Sequence, residues 1–495
     1  MDITAEMKQW LSGITPEKKA KLVFFSSHAY TPCGKINPNV ETTLNLLANA
    51  IALGNFNKID DYLEEKVKAF SRHNVDKKEI SEADYTCLSF FSACKYLNVV
   101  PPFLGLEKVS SIQDKFEMKD KERDYRFLLD SADLVLEKIC DSLTLAGVAQ
   151  IWSAMRKVEM LTKDVHNIDV IGFSCDLEPI GMKECLFFFI VRNMQMLKEI
   201  NNVCTNRLER LIAECEENSA CEEGKTLRSI IEGLRCYPVE GYPFGFCLIL
   251  SVHHNRDGAK KEFQNVLTVS KYLGMISYEI KDPKEKTIEE MENELKKPKY
   301  RFYSSFTCWF MSHGDKKSIE LADGKTIERE SFLTKFSDID SFKLKPKVFF
   351  MVSCLGKKKF RLEADDSESL STTEDQYAIT SIKVREEFSD TPVRGRNISD
   401  TQPMMDTLVA YSTMPDNLSG RNITHGSIYV NRACMLMSEN ISRGKNLTEI
   451  LEHISQELHE IVQEKEEEDC LYKQGCHYHS YFRKTLKLPH ERNND

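Results

Sequence analysis

The hydrophobic pattern changes period once along the 495-residue chain. From residue 1 to about 235, apolar residues recur at intervals of three and four. The segments Leu44 to Leu53 and Tyr125 to Leu136 are examples, and Leu186 to Leu197 and Cys204 to Cys215 continue the pattern. That spacing predicts amphipathic helices. Pro101-Pro102, followed by a polar stretch to about 120, divides the region into two halves of roughly 100 to 120 residues, each with about five or six helical segments. The glutamate-rich Glu214 to Lys225 reads as surface, and Cys236 to Gly245, with its two prolines and two glycines, reads as a linker. Short, mostly apolar runs of strand type then take over: Phe246 to Val252, Tyr278 to Ile280, Phe302 to Met311 and Val348 to Val352. They alternate with helical stretches such as Ala259 to Leu273, which predicts an α/β sheet covered on both faces. Lys357 to Pro403 is polar and weakly periodic, as in a mobile or processed loop. Strand and helix patterns resume at Thr407 to Ser412 and Ser427 to Ser438, a helical spacing covers Ile450 to Glu468, and Tyr481 to Pro489 closes as a strand.

Composition narrows the class. Hydrophobic residues make up 41% and charged residues 29%, as in an ordinary soluble globular protein. A net charge of −10 argues against binding nucleic acid or an anionic membrane through bulk charge. No apolar run approaches the roughly 18 residues of a membrane span. The N-terminus lacks the basic-then-apolar layout of a signal peptide, and the 16 cysteines are scattered. They are therefore expected to be reduced thiols of a cytoplasmic protein.

Two of the apolar runs end in chemistry. Val348 to Val352 delivers Cys354 to a Ser-Cys-Leu-Gly turn, and Phe306 to Met311 delivers Ser312-His313-Gly314, 41 residues earlier (354 − 313). Buried cysteines are often merely structural, but two short buried strands, each ending in one half of a Cys/His pair, supply what nucleophilic thiol catalysis needs.

These segments resemble the caspases, whose signature places a histidine some distance before a Gln-Ala-Cys-x-Gly turn. The likeness runs from about 240 to 489 and takes in several motifs in order: Ser312-His313-Gly314, Asp323-Gly324, Lys345 to Gly356, Ala410 to Pro415, and Arg421 to Ser427. The resemblance implies a mainly parallel central sheet flanked by helices. It implies that Cys354 is the nucleophile, His313 the acid/base, and the N–H groups of Gly314 and Cys354 the oxyanion donors. It also implies that Arg256 and Arg421 form a cationic pocket for aspartate, with Val352, Ser419 and Asn422 beside them. No cofactor and no metal is implied. Cys470, Cys476, His477 and His479 fit no common zinc spacing.

The two helical regions resemble the long prodomain of initiator caspases of the caspase-8 and Dredd type. This likeness implies two death-fold-like bundles, although an Arg-x-Asp-Leu signature is lacking and a caspase-recruitment domain stays open. The expected organisation is a helical domain at 1–105, a second at 116–225, a linker at 226–242, a large subunit at 243–356, an inter-subunit loop at 357–403 and a small subunit at 404–489. Expected partners are proteins cut after aspartate, an adaptor bound through residues 1–225, and a second copy of the protease domain.

The chain departs from the family pattern at instructive places. Val352 stands where the family carries a pocket glutamine, Leu355 where it carries an arginine, and Gly420 where it carries an aromatic residue. Lost pocket hydrogen bonding predicts a slow or narrowly selective protease. The rival is a scaffold of caspase fold that regulates an active relative by heterodimerisation. Asp365, Asp366, Asp375, Asp390 and Asp400 in the polar loop are candidate processing sites, whereas residues 177–256 contain no aspartate. Loop cleavage with retention of the helical region is therefore expected.

Overall fold

A computed structural model of the protein describes residues 3–26, 38–53, 56–75, 79–104, 106–118, 129, 131–158, 180–201, 210–214, 228, 235–237, 243–357, 361–362, 404–422, 425–441, 443–460, 462–465 and 470–488. They fall into two units that divide between Gly241 and Tyr242.

The first unit is built on helices α1 (Ile3–Ser12), α2 (Pro16–Ser26), α3 (Pro38–Leu53), α4 (Asn57–Arg72), α5 (Glu82–Tyr96), α6 (Leu106–Lys115), α7 (Ser131–Ser142), α8 (Leu145–Lys157) and α9 (Met182–Asn201). Local sequence sets the starts. Ser81 and Asp84 exchange side-chain-to-backbone hydrogen bonds in a capping box at α5, and Thr144 caps α8 by accepting from the Gly147 N–H. In α2 and α9, Leu22 to Phe25 and Cys185 to Val191 are all buried. A helix that is apolar on every side belongs at the centre of a bundle. There Phe24 stacks on Phe188 with ring centroids 4.1 Å apart. One buried cluster takes in residues of α1 to α5 and of α7 to α9, so the two halves share a core. The polar stretch after Pro101-Pro102 holds α6, whose Val109 and Ile112 are buried. Three apolar positions, Leu106, Val109 and Ile112, in a short and otherwise polar helix leave too faint a period to read.

The second unit contains β1 (Gly245–Ser251), α10 (Ala259–Tyr272), β2 (Met275–Lys281), α11 (Glu285–Leu295), β3 (Phe306–Met311), β4 (Ser318–Glu320), β5 (Thr326–Glu328), α12 (Arg329–Ser337) and β6 (Lys347–Val352). It continues with β7 (Arg361–Leu362), β8 (Thr407–Tyr411), β9 (Arg421–Asn422), β10 (Gly426–Ser427), α13 (Ile428–Ile441), α14 (Leu447–Glu460), β11 (Val462–Lys465), β12 (Cys470–Lys473) and β13 (His477–Ser480). The main sheet has the order β2-β1-β3-β6-β8-β13. Every pairing in it is parallel except that of β13 with β8.

All residues of β1, β3 and β6 are buried, which explains their near-continuous apolar runs. Phe306 packs near Phe336 and Phe349, and Phe310 packs near Phe332, so α12 covers one face. Cys247, on the opposite face of β1, meets Ser270 of α10 at 3.2 Å. Burying each of these phenylalanines contributes on the order of 1.5–3 kcal/mol.

Two expectations near the C-terminus are corrected. The helix expected to Glu468 stops at Glu460, and Val462–Lys465 instead pairs antiparallel with Cys470–Lys473. The closing strand is His477–Ser480, not Tyr481 to Pro489. It is an edge strand of three polar residues and one tyrosine, which lacks the apolar signal of the central strands. Most of the polar loop, with Asp365, Asp366, Asp375, Asp390 and Asp400, lies outside the described residues. No described helix is long and apolar enough to cross a membrane.

Candidate active site

The parallel register fixes where the chemistry gathers. Met311 of β3 lies opposite Val352 of β6. His313 and Cys354 each come two residues beyond that pair, on adjacent strands and at their carboxyl ends, where open α/β sheets place their ligands. The Ser312 N–H donates to the Val352 carbonyl at 3.0 Å, and the Ser353 N–H donates to Ser412 Oγ at 3.2 Å. These bonds tie the cysteine turn to the segments after β3 and β8.

Cys354 is half-buried, and the Ser419 N–H points at its Sγ from 3.4 Å. Two neighbouring thiols are fully buried. Burial pushes Cys247 up to about 12 and Cys308 well above its ordinary value, so neither supplies thiolate. His313 is half-buried, with Nε2 3.0 Å from the Asn255 carbonyl oxygen. A carbonyl only accepts, so Nε2 carries the proton and Nδ1 is the basic nitrogen. The N–H groups of Gly314 and Cys354 donate to no described residue. A Cβ at Gly314 would lie 2.6 Å from the Ser318 carbonyl oxygen, so glycine is required there.

Beside this pair stand two guanidinium groups on one carboxylate. Arg256 is 5% exposed. Its Nη1 donates to the carbonyls of Val252 at 2.8 Å and Met311 at 2.9 Å, and its Nη2 to Glu262 Oε2 at 3.0 Å. Arg421, partly exposed, reaches Glu262 Oε1 with Nη2 at 2.6 Å and the Asp257 carbonyl with Nη1 at 2.5 Å. Burial pushes Arg256 down to about 10, with Glu262 pulling the other way, so it stays charged at neutral pH. Glu262 is fully buried and also accepts the Ser427 N–H. Two cations and one anion leave a net charge of about +1 at the mouth of the cysteine turn. Gly426, with φ +81°, makes room: a Cβ there would meet Glu262 Cγ at 2.4 Å.

The remaining expected residues sort by position. Val352 is buried at the end of β6 and offers no hydrogen bond. Ser419 contributes its N–H to Cys354 and its hydroxyl to Ser412 at 2.9 Å. Asn422 pairs through its backbone with Gly426 in the β9–β10 hairpin. Leu355 is buried, and its N–H donates to the Asn417 carbonyl at 3.0 Å. Sequence reasoning missed Glu262, which reads as one more charged residue on an amphipathic helix. It also missed Gln474, which takes the Gly420 N–H at 2.9 Å and donates to the Ser412 carbonyl at 2.5 Å, clamping both ends of the 412–420 loop. Of the stretch considered for zinc, His477 stacks on Tyr411 at 4.6 Å and hydrogen-bonds to the Thr413 carbonyl at 2.8 Å.

A mainly parallel α/β sheet that presents a Cys/His pair and a cationic pocket at one edge defines a domain of the cysteine-peptidase class. Residues 244–485, just under half of the chain, match the family model described as the caspase domain, so the second unit is a caspase-family domain. Curated relatives agree. The chain is 25% identical to caspase-8 of Rattus norvegicus over 43% of its own length and 45% of that protein's. It is 28% identical to caspase-7 of Gallus gallus over 39% and 56%, and 23% identical to caspase-3 of Bos taurus over 48% and 82%. Against the caspase-8 relatives the chain spans about half their length.

Proposed function

We propose that this chain is a cysteine endopeptidase that cleaves peptide bonds after aspartate. The observation that carries this is the Arg256–Glu262–Arg421 cluster beside Cys354: its surplus positive charge suits a single side-chain carboxylate, and guanidinium groups are the donors best matched to one. In the reaction, the Cys354 thiolate adds to the scissile carbonyl carbon, and the resulting oxyanion accepts from the free N–H groups of Gly314 and Cys354. As the C–N bond breaks, the imidazolium of His313 gives a proton to the leaving amine, with Nε2 held on the Asn255 carbonyl. Water, losing a proton to the same imidazole, then releases the acyl group from sulfur.

The finer reading is an initiator-type zymogen of apoptotic or innate-immune signalling in the cytoplasm. The helical unit is read as a death-effector-like pair that docks an adaptor. The protease unit is read as pairing with a second copy along β13, the last strand of its sheet. Cutting within 357–403 separates the subunits, and the helical region stays attached because residues 177–256 offer no aspartate. Joining the full chain to an inducible dimeriser, alone and with Cys354→Ala, tests this. The unsubstituted chain is expected to cleave an Asp-ended peptide and its own loop only when dimerised, and Cys354→Ala to do neither. Equal behaviour of the two sinks the enzyme reading and leaves the scaffold.

A further inference from the structure

Arg329 breaks three rules at once. It opens α12, where the helix dipole disfavours a cation. It is 4% exposed, and all three of its hydrogen-bond acceptors are neutral. Nε donates to the Asp315 carbonyl at 2.8 Å, while Nη2 donates to Ser353 Oγ at 2.6 Å and to the Cys354 carbonyl at 3.0 Å. Its Nη1 is buried with no partner. The Asp315 carboxylate lies near enough to favour the charge but hydrogen-bonds none of the guanidinium. Burying a guanidinium without a directly bonded carboxylate opposes folding, and such local violations are expected where function demands them.

The acceptors explain the placement. Asp315 lies two residues after His313, and Ser353 and Cys354 form the nucleophile turn. The Arg329 backbone N–H adds a fourth bond, to the Lys317 carbonyl at 2.8 Å. One planar fork thus bolts the histidine turn to the cysteine turn. Gly314 is shaped around it, since a Cβ there would lie 2.8 Å from Nη2. Leu355, the next residue of this turn, is apolar and buried, and the guanidinium bonded to the turn comes from α12.

We infer that Arg329 is the positioning residue that holds Cys354 and His313 in mutual register. Its effect on turnover rests on the protease reading, but its effect on the thiol does not. The test uses the full chain on an inducible dimeriser, with Arg329→Met and Arg329→Lys. Peptide turnover is measured together with the rate at which iodoacetamide alkylates Cys354, read by peptide mass spectrometry. For Arg329→Met, kcat is expected to fall roughly a hundredfold, as an ångström-scale misplacement of reacting groups does. KM is expected to stay within about threefold, because Arg256 and Arg421 are untouched. Cys354 alkylation should slow several-fold, while the melting temperature holds or rises, since a buried charge with no directly bonded carboxylate has been removed. Arg329→Lys and millimolar guanidinium added to Arg329→Met should each restore part of kcat. An unchanged kcat and alkylation rate, or a loss that follows the melting temperature in both variants, overturns the inference. If the unsubstituted chain fails to cleave, the protease reading falls and alkylation alone decides the role of Arg329.

Discussion

Each unit buries an arginine against a carboxylate, and the two sites are balanced differently. In the helical unit, Arg192 meets Asp133 at 2.9 Å, both nearly inaccessible, with the guanidinium 4.1 Å from the Phe24 ring centroid. Among the described residues one cation faces one anion, inside a core that ties α9 to α2 and α7. In the protease unit, Glu262 serves Arg256 and Arg421 together, and Arg421 is still reached by solvent. A pair whose charges balance and that is sealed from solvent acts as a structural fastener. A two-to-one cluster open on one side keeps a surplus positive charge, which under the proposed function receives an anion. The balance of charges, more than the presence of a buried arginine, separates the fastener from the proposed binding site.

The largest expected effect breaks that contrast directly. Arg256→Leu removes the surplus charge and is expected to lower kcat/KM for Asp-ended peptides by about 2–5 kcal/mol, roughly thirty- to several-thousandfold, with little change in alkylation of Cys354. Asp133→Ala should do the reverse. Stranding Arg192 is expected to destabilise the helical unit by about 3–5 kcal/mol, read as a lower midpoint in urea, while the dimerised protease keeps its peptide turnover. If Asp133→Ala leaves the urea midpoint in place, or Arg256→Leu leaves kcat/KM in place, the division into fastener and binding site is wrong.

A smaller effect sharpens the pocket side. Val352 ends β6 two residues before Cys354 and gives an incoming carboxylate nothing to bond. Val352→Gln adds an amide donor at that position and is expected to raise kcat/KM about ten- to a hundredfold, the value of one hydrogen bond to a charged group. The gain should be confined to Asp-ended peptides. No gain, or an equal gain on Asn-ended peptides, places Val352 outside the carboxylate pocket.

How much of this was legible follows from what each signal depends on. Strands buried on both faces are near-continuous apolar runs, so β1, β3 and β6 were readable, and with them the turns that carry Arg256, His313 and Cys354. The partners of those residues were not. Glu262 meets Ser427 across 165 positions and Arg329 meets Ser353 across 24. Each is a charged residue on a helix, which as a sequence reads as solvated surface. Only the tertiary approach turns them inward. The edge strand β13 was misplaced for a related reason: its His477-Tyr-His-Ser480 is polar, and what makes it a strand is the hydrogen-bonding edge of β8.

That edge strand carries the smallest prediction. His477 lies flat on Tyr411, with Nδ1 donating to the Thr413 carbonyl. Burial holds it down to about 4, the Thr413 hydrogen bond pulls the other way, and neighbouring His479 lowers it further. In the unfolded chain the ring takes up a proton near its ordinary 6.5. Between 6.5 and 4 the unfolded state therefore binds a proton that the folded state refuses, and stability falls as pH falls through that window. Above 6.5 the contribution is fully present. The loss between pH 7 and 5 should be on the order of 1 kcal/mol, a shift of a few degrees in Tm. His477→Phe keeps a flat ring on Tyr411 but cannot be protonated, so its melting temperature should drop less on acidification than that of the unsubstituted chain. Parallel pH profiles for the two would mean that β13 is indifferent to this ring, and that acid sensitivity of the protease unit arises elsewhere.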